Sequence, residues 1–240
     1  MPIKESRGNM YPWVDATHSR LGGECQHKCS YCYVGSSRFG RAKRYCGAIR
    51  LLDQESSIKY DKQTLTRVCG KFPATIFVEH MNDLFAENVP SIFILDVLEN
   101  CCKYPENTYV LQTKNPKRFI DFLEECPPQR IFGTTIESNR HYPDVMGNSP
   151  TPKDRYDAMM CLPLDERVFV TLEPILDFDV DVLANWVADI APEFLNLGAD
   201  SKGQGLKEPT VAKIMQLVDK LNEFGIELRE KSNLSRLKAR

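Results

Sequence analysis

Residues 109–136 open with Tyr109-Val110-Leu111-Gln112-Thr113, continue through an amphipathic stretch from Pro116 to Glu125, and close with Ile131-Phe132-Gly133-Thr134-Thr135-Ile136. Two short β-rich runs enclosing a helical pattern are the sequence form of one strand–helix–strand unit. A helical crossover between strands points to parallel pairing, because antiparallel neighbours need only a tight turn. The alternation continues on both sides. Upstream stand Thr75-Ile76-Phe77-Val78-Glu79 and the stretch Pro90 to Lys103. Downstream come Val168-Phe169-Val170-Thr171-Leu172, Val180 to Ile190, Phe194-Leu195-Asn196-Leu197, Thr210 to Phe224 and Ile226-Glu227-Leu228. Continuous apolar strands suit a sheet covered by helices. With one further strand near Trp13 to Ser19 there are six or seven, too few for an eight-stranded barrel. The expected fold is therefore α/β: a partial (βα)6 TIM-like barrel of parallel strands, with residues 1–240 as a single domain. The longest irregular stretches, 35–59 and 139–154, are expected to be loops shaping a substrate entrance.

Composition narrows the class. The chain is 42% hydrophobic and 27% charged, with 31 Lys and Arg against 33 Asp and Glu, a net charge of −2. That balance gives no support for nucleic-acid binding by the whole surface. No apolar run approaches the roughly 18 residues of a membrane span, and Met1-Pro2-Ile3-Lys4-Glu5-Ser6 lacks a signal peptide's apolar stretch. The expected compartment is the cytoplasm, where structural disulfides are rare. Nine cysteines, an odd number, fit reduced thiols better than a disulfide framework.

Only three of those cysteines form a compact set, in Gly22-Gly23-Glu24-Cys25-Gln26-His27-Lys28-Cys29-Ser30-Tyr31-Cys32-Tyr33. One loop with the spacing C-x3-C-x2-C can wrap three thiolates around an inorganic centre. A structural zinc site is an alternative, with His18 or His27 as fourth ligand. A redox dithiol of Cys29 and Cys32 is another. Zinc motifs normally bring two C-x2-C pairs, and this chain has no second pair. Cys69, Cys101, Cys102, Cys126 and Cys161 lie in or beside helical or apolar stretches and are expected to pack as small hydrophobes. Cys46, in a polar and basic segment, is expected to stay accessible and is a candidate hydrogen-atom donor.

With Tyr31 just before the last cysteine, the motif resembles the signature of radical S-adenosylmethionine (SAM) enzymes. The resemblance implies a [4Fe-4S] cluster on Cys25, Cys29 and Cys32. One iron would remain open to chelate the amino and carboxylate groups of SAM, whose reductive cleavage yields a 5′-deoxyadenosyl radical. It implies further an electron donor such as flavodoxin or ferredoxin. It also implies the partial barrel, with the cluster loop after the first strand.

Chemistry in a parallel barrel gathers at the C-terminal ends of the strands. After the second strand comes Glu79-His80-Met81-Asn82-Asp83-Leu84-Phe85, where radical SAM enzymes usually carry Gly-Gly-Glu. This stretch is similar instead to a phage-associated radical SAM family of largely unassigned function and, in part, to spore photoproduct lyase. The likeness places Asn82 and Asp83 near the SAM ammonium; as residues, both also suit a helix cap. The third strand ends Thr113-Lys114, again similar to spore photoproduct lyase, which implies that Lys114 pairs with the SAM carboxylate. Thr135, Glu137 and Asn139 alternate onto one face at the fourth strand's end, where the family binds the SAM ribose. Tyr33 is expected against the adenine. Glu173, Asn196 and Asp200 end later strands and are the expected substrate-facing groups, Asp200 having a turn role as its alternative. His80 reads first as a hydrogen-bonded structural residue.

Two local charge clusters break the neutral average. Arg38, Arg41, Lys43, Arg44 and Arg50 occur with no acidic residue between 38 and 50, interleaved with Phe39 and Tyr45. A tail from about 229 carries Arg229, Lys231, Arg236, Lys238 and Arg240 against Glu230 alone. Such clusters can track phosphates, and the aromatics could stack on bases. The expected function is a radical SAM isomerase or lyase acting on a thymine-derived base in DNA, hypermodified or damaged, in a host cytoplasm if phage-encoded. The alternatives are a radical SAM enzyme acting on a small molecule or peptide, and a zinc-bound nucleic-acid-binding module without catalysis.

Overall fold

A computed structural model describes residues 3–8, 10–36, 43–52 and 58–238. It divides into two compact units. Met1–Gln26, Tyr33–Thr113 and Arg118–Ile131 make the first; His27–Cys32, Lys114–Lys117 and Phe132–Arg240 make the second.

The first unit contains β1 (Lys4–Glu5), β2 (Ala16–His18), β3 (Leu21–Gly22), α1 (Tyr33–Ser36), β4 (Arg50–Leu51), α2 (Lys62–Cys69), β5 (Thr75–Val78), α3 (Ser91–Cys102), β6 (Thr108–Thr113) and α4 (Lys117–Asp121). β2, β5 and β6 pair in parallel, with Ala16 opposite Ile76 and Phe77 opposite Val110. β1 adds an antiparallel edge to β2. Ile76, Val110 and Leu111 are buried from both faces, so continuous apolar strands are what this sheet requires. Phe85 and Phe119 meet edge to face at 4.8 Å beneath it. Asp61 caps α2 by accepting from the Thr64 amide at 2.8 Å, and Gly70 ends the helix in the left-handed region at φ 71°.

The second unit continues β7 (Arg130–Thr135) and adds α5 (Pro143–Met146), α6 (Pro152–Met160), β8 (Val168–Leu172), α7 (Val180–Ile190), β9 (Phe194–Leu197), α8 (Val211–Glu223), β10 (Leu228–Glu230) and α9 (Ser235–Lys238). β7, β8, β9 and β10 run parallel in that order. Gly133 is bare because the Phe169 ring lies over it: a Cβ there would stand 2.1 Å from the ring. Phe169 in turn stacks on Phe194 at 5.4 Å, filling the centre of this unit.

Both units are therefore α/β with mostly parallel strands, as the alternation implies. Differences are local. The last strand forms at 228–230, shifted by two residues from its apolar run at 226–228. A helix occupies 152–160, at the edge of an expected loop, because Thr151 and Asp154 form a reciprocal capping box with Pro152 in the first turn. Cys101 and Cys126 are buried as expected and Cys69 is half-buried, but Cys102 and Cys161 are exposed rather than packed.

As far as residue 238 the C-terminal basic stretch is a folded part of the second unit, and Arg240 lies outside the described residues. Arg229 lies 3.5 Å over the Phe194 ring and bonds Glu227, Lys231 pairs with Glu173 at 2.8 Å, Arg236 holds Glu208, and Lys238 holds Glu230. Charges clustered in sequence are thus neutralised by acidic partners in space, which corrects the expectation of a phosphate-tracking tail. In the first cluster, Tyr45 is buried and so offers no face to a base, and Arg50 donates to the carbonyls of Arg44, Cys46 and Ala48. Arg38, Phe39 and Arg41 lie outside the described residues. Among the described residues no helix is long and apolar enough to cross a membrane.

Candidate functional site

The cysteine segment leaves after β2 and the short β3–β4 ladder of the first unit. Gly23, at φ 93°, leaves no room for a side chain, since a Cβ there would sit 2.4 Å from the Ala48 carbonyl oxygen. Its amide donates to the Arg44 carbonyl at 2.8 Å, and its own carbonyl accepts from the Asn82 amide group at 3.2 Å. Asn82 therefore secures the approach to Cys25.

In the second unit, residues 27–30 rest on the segment 145–149. Asn148 N–H donates to the His27 carbonyl at 2.7 Å, Ser30 N–H to the Val145 carbonyl at 2.9 Å, and the Cys29 thiol to the Met146 carbonyl at 3.4 Å. Gly147, at φ 60°, makes this approach possible: a Cβ would lie 2.1 Å from the His27 oxygen. Burial, outweighing the nearby Lys114 cation, raises the Cys29 thiol above its usual range.

Beside this loop four polar side chains form one buried network. Glu137 is fully buried and accepts from Lys114 Nζ at 2.6 Å and from Arg155 Nη1 at 2.6 Å. The Tyr31 hydroxyl donates to Glu137 and accepts from Lys114. Burial alone would raise the Glu137 carboxyl, but Arg155 and Lys114 overcome it and hold the group well below the ordinary carboxylate range. Burial and the Glu137 charge push the Tyr31 phenol well up, so it stays protonated and donates. One carboxylate between two cations leaves one positive charge over. Such a site favours an anion arriving at Lys114, whose side chain is 16% exposed while Glu137 and Arg155 are closed off.

The other expected residues fall elsewhere. Thr135 contributes its carbonyl, which accepts from Arg155 at 2.8 Å. Asn139 instead exchanges hydrogen bonds with Asp179, beside Arg140, because the strand ends at Thr135 and its alternation does not reach Asn139. Asp83 accepts from the Thr113 hydroxyl at 2.6 Å and from the Phe85 amide, stabilising the turn after β5. Tyr33 is exposed and donates to the His80 carbonyl at 2.6 Å. Cys46 is exposed in the first unit. Glu173 is held by Lys231 and by Asn233 at 3.1 Å, and Asn196 is buried against Thr171. Asp200 accepts from the amides of Lys202 and Gln204, the geometry of its turn alternative. Arg155 and Asn233 are not among the residues expected from the sequence, and Lys231 is expected only as a charge of the tail. Arg155 had a signal: with Pro152, Ala158 and Met159 it occupies the buried stripe of α6, where a charge needs a partner. Among the described residues no three His, Cys, Asp or Glu side chains stand close enough to hold a metal ion.

In the first unit, the turn after β5 carries two buried ionisable groups. Ser19 Oγ accepts from the Met81 amide at 3.1 Å and shares a hydrogen bond with His80 Nδ1 at 3.0 Å. Burial lowers His80 to about 4, leaving a neutral ring. Glu79, fully buried and at φ 62°, accepts from the amides of Arg20 and Leu21. Burial outweighs those bonds and raises Glu79 to about 7. A folded pKa above the usual 4.5 means that the native state keeps a proton the unfolded chain has lost. Stability therefore falls as pH rises from about 4.5 to 7 and levels off above. Glu79→Gln keeps an acceptor oxygen but cannot ionise. Relative to the variant, the native protein should lose about 3 kcal/mol across that window, read by urea denaturation at each pH. A difference that does not change with pH would contradict this assignment.

A family model described as a protein of unknown function (DUF5131) matches residues 9–189. No curated protein sequence matches the chain. Among solved structures, a cysteine-to-serine mutant of spore photoproduct lyase matches with TM-score 0.62 at 12% identity, covering 93% of this chain and 79% of that one. A double mutant of the same enzyme, with bound AdoMet and dinucleoside spore photoproduct, gives 0.55 at 12%, covering 90% and 63%. A radical SAM methyltransferase from Sphaerobacter thermophilus gives 0.55 at 16%, covering 92% and 67%. Streptococcus suis SuiB bound to precursor peptide SuiA gives 0.58 at 10%, covering 90% of this chain and 48% of that one. The chain thus spans between about half and four fifths of these proteins. At such identities the likeness establishes the fold, which is that of radical SAM enzymes.

Proposed function

The chain belongs to the DUF5131 family, and we propose that it is a radical SAM enzyme that cleaves SAM at a [4Fe-4S] cluster held by Cys25, Cys29 and Cys32. The observation that carries this reading is the surplus positive charge of Lys114, Arg155 and Glu137 beside the cysteine loop. The cysteines fit the group: all three are half-buried, and Gly147 lets residues 145–149 cradle the loop's backbone. When bound, the cluster supplies the electron that splits SAM into methionine and a 5′-deoxyadenosyl radical, which takes a hydrogen atom from the substrate.

The chain's own residues do the rest. Lys114 binds the SAM carboxylate with a charge-assisted hydrogen bond in a partly dry site. Tyr31, kept protonated, fixes the height of Lys114 beside Glu137. Lys114→Ala should weaken SAM binding roughly tenfold to a hundredfold, the loss of one hydrogen bond to a charged group, while the iron content stays unchanged. Unchanged affinity would refute the carboxylate assignment.

For the substrate we favour a thymine-derived base, on the likeness to a spore photoproduct lyase structure holding a dinucleoside photoproduct. The SuiB likeness favours a peptide as the second reading. An electron donor of the flavodoxin or ferredoxin type would serve either. Anaerobic reconstitution with iron and sulfide, reduction with dithionite and assay of 5′-deoxyadenosine test the proposal. Thymine-containing oligonucleotides should stimulate formation of that product and peptides should not. A reduced, cluster-loaded protein that never forms it with either would sink the enzyme reading.

A further inference from the structure

Arg155 is the largest side chain among those fully buried in the described residues, and it is a cation. Four hydrogen bonds hold it. Nε donates to the Pro150 carbonyl at 2.8 Å, Nη1 to the Thr135 carbonyl at 2.8 Å and to Glu137 at 2.6 Å, and Nη2 to Ser149 Oγ at 2.7 Å. Ser149 Oγ passes its own hydrogen to the Met146 carbonyl at 2.8 Å, the same oxygen that accepts from the Cys29 thiol. One guanidinium thus ties the end of β7, the cradle under residues 27–30 and the counterion of Lys114 into one unit.

Glu137 has two cationic partners of different kinds. Arg155 is enclosed and locked in four directions; Lys114 keeps some access to solvent and ends a flexible stem. If an anionic ligand draws Lys114 away, Glu137 retains the Arg155 charge. Without Arg155, the same movement would strand a buried carboxylate, so Lys114 would stay where it is. We propose that Arg155 is a positioning residue: by holding the charge of Glu137, it releases Lys114 to bind a ligand carboxylate. This rests on the reading of Lys114 as the SAM-carboxylate partner, and it adds the residue that makes Lys114 available.

The test is equilibrium binding of SAM and of decarboxylated SAM to the cluster-loaded protein, with the ratio of the two affinities as the readout. The native protein should favour SAM. Arg155→Met should shrink that preference by about tenfold or more, because the loss falls on the carboxylate alone. The double variant Arg155→Met/Glu137→Gln should restore it, since removing the stranded charge frees Lys114 again. A merely structural Arg155 would weaken both ligands equally and leave the ratio unchanged, and that result overturns the inference. Should Arg155→Met fail to fold, Glu137→Gln alone decides: it removes the competing charge, so the preference for SAM must hold or rise, and a fall overturns the inference. A native protein showing no preference between the two ligands would instead remove the reading of Lys114 on which the inference rests.

Discussion

Glu137→Ala should lower the unfolding free energy by about 3–5 kcal/mol, the cost of breaking a buried ion pair from one side. The reason is asymmetry. Glu137 neutralises Arg155, which has no exposure to solvent, and at the same time accepts from Lys114 and Tyr31. Alanine would leave the guanidinium buried with its charge uncompensated and two further donors without their acceptor. The pH dependence gives a second signature. The folded pKa of Glu137 lies well below the usual 4.5, because its two cations outweigh burial. A depressed pKa contributes stability that is present above the unfolded value and is lost as pH falls through the folded one. The gap between the native protein and Glu137→Ala should therefore be constant from pH 8 to about 5 and narrow in stronger acid. Denaturant midpoints with an unchanged m-value would measure it. A gap below about 1 kcal/mol at pH 7 would mean that water relieves the site and that the network is weaker than its burial implies.

That network was half legible in the sequence. Lys114 and Glu137 could be found because both follow apolar runs, and the ends of parallel strands are where polar side chains converge. The alternation that locates those strands is strong for a physical reason: Ile76, Val110 and Phe169 are buried from both faces, so nearly every position in these runs must be apolar. Arg155 was not found. Its signal is one charge on the stripe of a short helix, and its partner Glu137 lies far back along the chain, beyond the loop at 145–149. Asn139 and Asp200 misled in the opposite direction. Each has the right chemistry beside a strand end, yet local turn geometry had first claim on its side chain. The basic tail shows the same limit on a larger scale. A count along the chain makes it cationic, whereas the acceptors Glu173 and Glu208 that neutralise Lys231 and Arg236 come from distant segments. Charge in sequence is a local sum, and pairing is decided by the fold.

Single replacement of Cys25, Cys29 or Cys32 by alanine should abolish the cluster, taking iron from roughly four per chain to a trace, with loss of brown colour. A site built on three thiolates has no ligand to spare, so loss of one is not met by a weaker version of the same site. Cys46, Cys102 and Cys161 are exposed thiols and serve as controls, since their replacement should leave the iron content unchanged. His27→Ala is the decisive variant. A four-ligand zinc site needs a further donor beyond the three thiols, and the sequence offers His18 and His27. His18 is buried in the first unit with Nδ1 only 2.6 Å from the Tyr60 hydroxyl, an orientation already committed to the core. His27 sits inside the motif itself and is buried at 4% exposure, so zinc would draw on it first. The two chemistries then part. A zinc protein is colourless, binds one equivalent and loses it with His27→Ala. An iron–sulfur protein keeps its iron without His27, because the three thiolates alone would hold the cluster. Iron retained by His27→Ala and lost by Cys29→Ala establishes the three-thiolate site; one equivalent of zinc, lost with His27→Ala as well as with Cys29→Ala, would make this chain a metal-stabilised domain with no cluster chemistry.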